Sequence, residues 1–538
     1  MIPAVPQHTP STLLHPPGTI QASELNNHSL EPCFSKARNS FDYLEGLLTA
    51  DSHVKLVVAM VGLPARGKSY IVKKLKRYLS WLGIHVKIFN VGNKRRVLTS
   101  TETPVTNGVQ SNQNKDSSSK ILHSSSFFDN SNEAAASLRE NVAMEVLDDA
   151  ILWLKGDGQV AIHDATNSTI LRRKKIINRI MKEQNVSLLF IESICDNPSL
   201  IDSNIQMKLF SPDYTGVDPE TALNDFRLRL KSYEDCYEPL GDYEESRKIQ
   251  YCKLINVGSK IILSNINGFL ESQCTFYLTN MNLYPRVIYI TRHGQSTDNI
   301  AKRIGGNASL SELGVEYSKA LANFISNHQP AFYSHVSESK LKSSPISSSL
   351  NLSSQVTNGD IQDKPLELLN NNFEIWTSML TRTVETAHFF RSSNVKIKKY
   401  SALNELYSGL CEGMKYSEIK ELFPTDFATR TKDKLQTRYP GTNGESYLDV
   451  VHRLQHIIIE LERINKSVLL ISHNAVSRTL LSYFMDISIE KMPFLNVPLG
   501  TVFACIPRPF GNDVFAYKWD PETQCFNEID KSILFEGI

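Results

Sequence analysis

The chain has 538 residues, enough for two or three domains at roughly 100–200 residues each. Its 41% hydrophobic content is sufficient for real cores, and 58 Lys+Arg against 57 Asp+Glu leave a formal net charge of +1. That balance excludes a protein dominated by nucleic-acid or anionic-membrane binding, while leaving room for a local basic pocket. No apolar run of about 18 residues exists, so no transmembrane helix is expected. The start carries Pro3, Pro6, Pro10, Pro16 and Pro17 and no Lys or Arg before Lys36, which is not a signal-peptide pattern. Eight cysteines without a CxxC pair read as reduced cytosolic thiols rather than a disulfide scaffold or zinc module.

Residues 1 to about 40 are polar and Pro-rich and read as disordered. VKLVVAMV (54–61) is a nearly continuous apolar run, as in a strand buried on both faces. A Gly-rich turn follows, then the amphipathic stretch 69–83 and a second strand, HVKIFNVG (85–92). Strand, helix and strand make a βαβ unit and hence an α/β domain. Residues 107–126 hold seven Ser and no Phe, Tyr or Trp, and read as a disordered insertion. Helical periodicity resumes over 136–155, with strands at 159–165 and 187–193. PRVIYITRHG (285–294) opens a second α/β region, with a boundary between about 270 and 285. This region carries a Ser-rich insertion at about 334–364, a buried strand at 468–476 and a helix at 477–485.

Two patterns carry chemistry. Gly62-Leu63-Pro64-Ala65-Arg66-Gly67-Lys68-Ser69 is GxxxxGK[ST], placed between a strand and a helix. Glycines let backbone N–H groups wrap a phosphate chain, Lys68 reaches the terminal phosphates, and the Ser69 hydroxyl can ligate Mg²⁺. Asp164 ends the strand QVAIHD, where a second carboxylate would serve the metal. Arg95 and Arg96, and the run Arg172, Arg173, Lys174 and Lys175, suggest a second anionic ligand. The other pattern is Arg292-His293-Gly294 at a strand end, with His473 ending another strand, Arg382 in TSMLTRTVETA and Glu405 in LNELYSGL. One His as nucleophile, cations on the equatorial oxygens and a Glu as acid form a phosphoryl-transfer site.

This order of motifs resembles the bifunctional 6-phosphofructo-2-kinase/fructose-2,6-bisphosphatase family, over about Val54 to Pro507. The matching segments are GLPARGKSYIVKKLKRYL, FNVG with RR, DATNST, KLFSPDY, TRHGQS, RIGG, LNELYSGLCEGM, GESY and SHNAV. The resemblance implies an α/β P-loop kinase domain with a mostly parallel sheet, followed by a phosphoglycerate-mutase-like histidine phosphatase domain. It implies a disordered segment at 1–50, a kinase domain at 51–280 with an insertion at about 99–126, a phosphatase domain at 281–510 and a C-terminal tail at 511–538. The kinase would move the ATP γ-phosphoryl, with Mg²⁺, to O2 of fructose 6-phosphate. The phosphatase would remove that 2-phosphate from fructose 2,6-bisphosphate. The protein would be cytoplasmic, with no nucleic-acid or membrane partner, and could be a homodimer.

By motif match, Gly62 to Tyr70 and Asn204 would bind ATP, and Ser69 and Asp164 the metal. Lys68, Asp164 and Cys195 would belong to the kinase centre. Arg95, Arg139, Thr166, Arg172, Lys208, Arg229 and Tyr233 match positions that hold fructose 6-phosphate, with the stretch before Lys208 one residue shorter than usual. In the phosphatase, His293 would be the nucleophile and Glu405 the proton donor. Arg292, Asn299, Arg382 and His473 would bind the transferring group. Gly305, Tyr416, Arg430, Lys434, Tyr447, Asn474 and Arg478 would hold the sugar and its 6-phosphate. The chain departs from the family pattern at His163, Gln295, Tyr407, Asn474 and Gly500, and GTN (441–443) lengthens a turn. Besides a working bifunctional enzyme, the departures leave a one-sided enzyme and a catalytically weak sugar-phosphate sensor as alternatives.

Overall fold

Residues 54–101, 125–128, 132–341, 372–390, 395–508 and 511–536 are described by a computed structural model. The apolar run at 54–61 forms strand β1 (Lys55–Val61), in which Leu56 to Val61 have no exposure. Helix α1 (Lys68–Trp81) leaves the Gly-rich turn, and β2 (Val86–Asn90) follows. The next residues, read as the end of that strand, instead start a helix, α2 (Val91–Thr101). Helix α3 (Glu133–Lys155) starts three residues before the expected 136, because Asn132 caps it by accepting from the Ala135 N–H at 3.0 Å. Then come β3 (Val160–Asp164), α4 (Ile170–Ile180) and β4 (Val186–Ile194). Helices α5 (Pro198–Leu209) and α6 (Pro219–Glu234), strands β5 (Gln250–Ile255) and β6 (Lys260–Ser264), and α7 (Phe269–Thr279) complete the first layer system. The sheet order is β2-β3-β1-β4-β5-β6, parallel except for β6. Ligands in such sheets bind outside the carboxyl ends of the strands, where the Gly-rich turn and Asp164 lie.

The second sheet has the order β13-β12-β11-β7-β10-β8-β9. Strands β7 (Ile288–Arg292), β8 (Phe373–Thr377), β9 (Lys396–Lys399) and β10 (Ser467–Ser472) run parallel. Helix α8 (Glu312–Leu341) follows β7 at a distance, α9 (Thr381–Thr386) follows β8, and α10 (Tyr447–Arg463) and α11 (Asn474–Met485) flank β10. Strands β11 (Thr501–Arg508), β12 (Gly511–Asp520) and β13 (Cys525–Ile529) add an antiparallel meander. The expected C-terminal tail at 511–538 is therefore corrected: its residues 511–529 are two strands of the sheet. Tyr517 and Trp519 drive this, burying their rings in the same core as Tyr289 and Tyr317.

Two insertions also change. The first, at about 99–126, overlaps helix α2 at its start and ends in a 3₁₀ turn, Ser125–Phe128, with Phe127 and Phe128 buried. The second, at about 334–364, begins inside α8. The remainder of both, and the segment 1–50, lie outside the described residues. The two domains are joined by more than a linker. The Gln455 amide of α10 donates to the Tyr78 hydroxyl of α1 at 2.9 Å, and the Trp81 indole N–H donates to the Thr479 carbonyl of α11 at 2.9 Å. Glu462 on α10 lies buried among Lys74 (2.6 Å), Arg77 (3.2 Å) and Arg286 (3.6 Å) and accepts from the Tyr483 hydroxyl.

Candidate active sites

The first site is a cavity of about 1580 Å³ at the carboxyl edge of the parallel sheet. Its floor is the Gly-rich loop. Gly62 has φ +128°, and a Cβ there would meet the Ser193 carbonyl at 2.6 Å, so no other residue fits this close approach of β1 to β4. Arg66 donates to the Cys195 carbonyl at 2.6 Å and Asn204 donates to the Ala65 carbonyl at 2.9 Å, tethering the loop from the β4–α5 side. Pro64 to Tyr70, Cys195 and Asn204 all line the cavity. Gly62 and Leu63 contribute carbonyls that accept from the Lys68 ammonium at 2.7 and 2.6 Å. Burial lowers the Lys68 pKa to about 7, against the opposing pull of Asp164. Asp164 is pushed up by burial, with Lys68 and a 2.6 Å hydrogen bond from Asn90 pulling the other way. Ser69 and Asp164 offer hard oxygen donors on one cavity wall, the chemistry that suits Mg²⁺ arriving with a nucleotide.

Arg95, Arg139, Thr166, Arg172, Lys208, Arg229 and Tyr233 line the same cavity. Three arginines converge on Asp213: Arg95 at 2.7 Å, Arg96 at 3.2 Å and Arg229 at 3.5 Å. Burial would raise the Asp213 carboxyl, but Arg95, Arg229 and Arg96 outweigh it and hold it at about 2. The Arg229 guanidinium stacks 3.8 Å over the Phe128 ring, and Arg139 donates to the Phe127 carbonyl. Asp213, Phe127 and Phe128 are not among the site residues expected from the sequence. Asp213 sits within KLFSPDY, and the Phe pair directly follows a Ser-rich stretch. The run at 172–175 divides. Arg172 faces the cavity and pairs with Glu140 at 2.6 Å. Arg173 has no exposure and binds Glu244 at 2.7 Å, so it holds the fold. Lys174 and Lys175 face solvent.

The second site is a cavity of about 470 Å³. Parallel pairing of β7, β10 and β8 brings its centre together from three distant segments. Arg292 pairs with Ser472 in register, and the His293 N–H donates to the Ser472 carbonyl at 3.0 Å. The His293 Nδ1 lies 2.7 Å from the Gly294 carbonyl, which assigns the ring proton to Nδ1 and leaves a lone pair on Nε2. The single Nε–H of Arg382 points at His293 Nε2 (3.1 Å) and His473 Nδ1 (3.3 Å). Burial, then Arg382 and Arg292, hold His293 well below its usual 6.5; burial and the neighbouring His293 do the same for His473. Both rings are neutral near pH 7. Arg292 donates to the Val497 carbonyl at 2.9 Å, and burial lowers its pKa to about 10. Glu405 accepts from the N–H groups of Leu406 (2.9 Å), Asn474 (3.0 Å) and Ala475 (3.2 Å), which seats its carboxylate on the N-terminus of α11.

The same cavity is lined by Arg430, Lys434 and Arg478, with Tyr416, Tyr447 and Asn474. Arg478 donates to the Tyr447 hydroxyl at 2.8 Å, and Arg430 stacks on Tyr439 at 3.8 Å. No carboxylate pairs with these three cations among the described residues. The Asn474 Oδ1 is buried without a partner. Asn299 lines the cavity and caps the turn at Ser296, accepting from its N–H at 3.0 Å. Gly305 lines it by backbone alone: at φ +68° a Cβ would enter the Glu412 carboxylate. Most departures fall outside this cavity. Gln295 accepts from Ser311 at 2.9 Å, Tyr407 is 45% exposed, and His163 is bound to the Ala143 carbonyl and Asn167.

A phosphate-cradling loop on one parallel sheet, and a histidine pair with two arginines on another, define a P-loop kinase joined to a histidine phosphatase. Residues 45–285 match the 6-phosphofructo-2-kinase family, and residues 367–514 match the histidine phosphatase superfamily (branch 1). The chain is 44% identical over 501 residues to a probable 6-phosphofructo-2-kinase of Schizosaccharomyces pombe, covering 89% of this chain and 72% of that one. It is 41% identical over 506 residues to 6-phosphofructo-2-kinase 1 of Saccharomyces cerevisiae, covering 94% and 56%. It is 40% identical over 457 residues to the 6-phosphofructo-2-kinase/fructose-2,6-bisphosphatase of Aquarana catesbeiana, covering 85% and 83%. The chain belongs to the 6-phosphofructo-2-kinase/fructose-2,6-bisphosphatase family.

Proposed function

We propose that this chain both makes and hydrolyses fructose 2,6-bisphosphate, through the site residues named above. The observation that carries this reading is the second cavity, which combines a neutral histidine pair and two arginines with three further lining cations, Arg430, Lys434 and Arg478, that no carboxylate pairs among the described residues. That arrangement fits a small molecule phosphorylated at both ends, held by one phosphate and cleaved at the other. The fungal relatives are named as kinases alone, whereas the Aquarana catesbeiana relative is named for both activities. The intact His293, Arg382, His473 and Glu405 favour two activities here.

In the kinase cavity, Arg95, Arg172 and Arg229 would orient fructose 6-phosphate. The Lys68 ammonium would follow charge onto the departing ADP oxygen. Asp164, which lines this cavity, would receive the O2 proton. Mg²⁺ entering with ATP, held by Ser69 and Asp164, would neutralise phosphate charge. In the phosphatase, Glu405 enters the step as the carboxylic acid and keeps its second oxygen on the backbone N–H groups. The His293 Nε2 lone pair attacks the 2-phosphorus, the P–O2 bond breaks, and Glu405 delivers its proton to O2 and is left as the carboxylate. Water then attacks the phosphohistidine, with Glu405 taking its proton, and inorganic phosphate leaves. Seven described cysteines are all unpaired, which fits a cytoplasmic setting.

The test is to assay the purified chain in both directions. We expect ATP-dependent formation of fructose 2,6-bisphosphate and release of phosphate from its 2-position. A chain active in only one direction would replace this reading with the one-sided enzyme.

A further inference from the structure

Behind His473 lies a chain of hydroxyls that contacts no ligand-facing atom. The Ser378 Oγ is 2.8 Å from His473 Nε2 and 2.8 Å from the Thr383 Oγ1, and it accepts the Leu380 N–H at 3.1 Å. The Thr383 Oγ1 lies 2.8 Å from the Leu380 carbonyl and 3.3 Å from the Ser378 carbonyl. Ser378, Thr383 and His473 are all buried.

The proton positions follow by elimination. Thr383 faces two carbonyls, which only accept, so its one proton goes there. Its oxygen must then accept from the Ser378 hydroxyl. Ser378, having spent its proton, must accept from His473 Nε2–H. The reverse order would leave Thr383 Oγ1 2.8 Å from a carbonyl oxygen with no proton between them. It would also aim a His473 Nδ1–H at the Arg382 Nε–H, 3.3 Å away. Two independent contacts exclude it.

We propose that Ser378 and Thr383 are positioning residues that fix His473 as the Nε2–H tautomer, so that its Nδ1 is the atom offered to the transferring phosphoryl group. In the resting site, Arg382 shares one N–H between two imidazole lone pairs. A phosphate monoester still holds part of its second proton near neutral pH. When the monoanion enters, that proton moves to His473 Nδ1 and the phosphoryl group becomes a dianion. The imidazolium then donates Nδ1–H to a phosphoryl oxygen and Nε2–H to Ser378. Without Ser378, the second N–H of the imidazolium would be buried with no acceptor. The other charged and titratable groups around His473 are His293 and Arg292 from the end of β7, Arg382 on α9, Arg453 on α10, and Glu405 against the first N–H groups of α11.

The inference rests on the phosphatase reading, so its test carries one readout that needs no turnover. In fructose 2,6-bisphosphate hydrolysis by the full chain, Ser378→Ala should lower kcat about 10- to 100-fold, the range for losing a hydrogen bond to a charged group. KM should change little, because the 6-phosphate cations are untouched. Losing the acceptor disfavours the imidazolium, so the alkaline limb of kcat should move to lower pH. Thr383→Val should shift the limb the same way by less, and Thr383→Ser, which keeps the hydroxyl, should match the parent. Kinase activity of the same samples reports folding. If Ser378→Ala fails to fold, the Thr383 pair decides. Spectra of ¹⁵N-histidine in the resting chain should place the His473 proton on Nε2. A parent kcat and limb in Ser378→Ala, a Thr383→Ser as damaged as Thr383→Val, or an Nδ1–H tautomer at His473 would each overturn the proposal. A parent without hydrolysis but with the Nε2–H tautomer would instead remove the phosphatase reading and leave the tautomer assignment standing.

Discussion

The kinase cavity encloses about 1580 Å³ and the phosphatase cavity about 470 Å³. In the larger one Lys68 rests on the carbonyls of its own loop, at Gly62 and Leu63. Arg95, Arg96 and Arg229 are held there around Asp213, an anion the chain itself supplies. The smaller cavity takes one substrate, and its reacting groups already touch: Arg382 lies 3.1 Å from His293 and 3.3 Å from His473. Phosphoryl transfer between two ligands asks for space and mobile charge. Transfer to the protein asks for preorganised lone pairs.

This contrast can be broken one cavity at a time. The largest effect should come from Lys68→Met, which should lower kinase turnover by about 10³-fold or more, since its charge follows the transferring group. Hydrolysis of the 2-phosphate should stay at the parent rate. Retained synthesis of fructose 2,6-bisphosphate would detach Lys68 from catalysis. A smaller effect belongs to the sugar-phosphate cations. Arg229→Ala should raise KM for fructose 6-phosphate about 10- to 100-fold, as expected for losing a charge-assisted hydrogen bond. Its KM for ATP should change little. Equal changes in both would point to a folding defect.

Next comes the seam between the regions. Glu462 serves three cations with its own carboxyl held at about 2, burial opposing and Lys74, Arg77 and Arg286 prevailing. Glu462→Gln leaves those cations buried and unpaired, and should cost about 3–5 kcal/mol. Calorimetry should show a lower Tm, and a parent-like Tm would deny the seam its role. The pH dependence of stability follows from buried histidines. Burial holds His163 and His328 at about 4 and helps hold His293 and His473 well below 6.5. As pH falls below about 6.5, the unfolded chain binds protons that the folded chain does not, so stability drops, by up to about 1.4 kcal/mol per pH unit for each. The urea midpoint should therefore fall between pH 7 and pH 5.5; a flat midpoint would contradict neutral burial of these rings. The smallest effect should be that of Gln295→Glu, less than about threefold on hydrolysis, because this side chain faces Ser311 and not the cavity.

The kinase loop was legible because one contiguous segment carries it: eight residues, 62–69, with a strand before and a helix after. The phosphatase residues were legible only as a set, since register alone brings Arg292 beside Ser472 and so His293 beside His473. Asp213 stayed hidden because an aspartate in a turn ordinarily meets solvent, and only the folded chain gathers three arginines on it. Phe127 and Phe128 were masked by the composition of their neighbours, although two adjacent aromatics seldom remain in solvent. Strands β12 and β13 are hard to see in the sequence because they come last in the chain, and the edge strand β13 has no fully buried residue to mark it, while β12 is recognisable only once it pairs with β11 and β13. Ser378 gave no signal, since nothing in a sequence says which hydroxyl will sit 2.8 Å from a histidine.

The covalent intermediate tests the phosphatase account most directly. The chain should be mixed with fructose 2,6-bisphosphate labelled at the 2-phosphate and quenched in alkali. We expect acid-labile label on the protein, absent together with turnover in His293→Ala, and accumulating in Glu405→Gln as breakdown slows. Label that persists in His293→Ala, or hydrolysis there at the parent rate, would contradict the assignment of His293 as nucleophile.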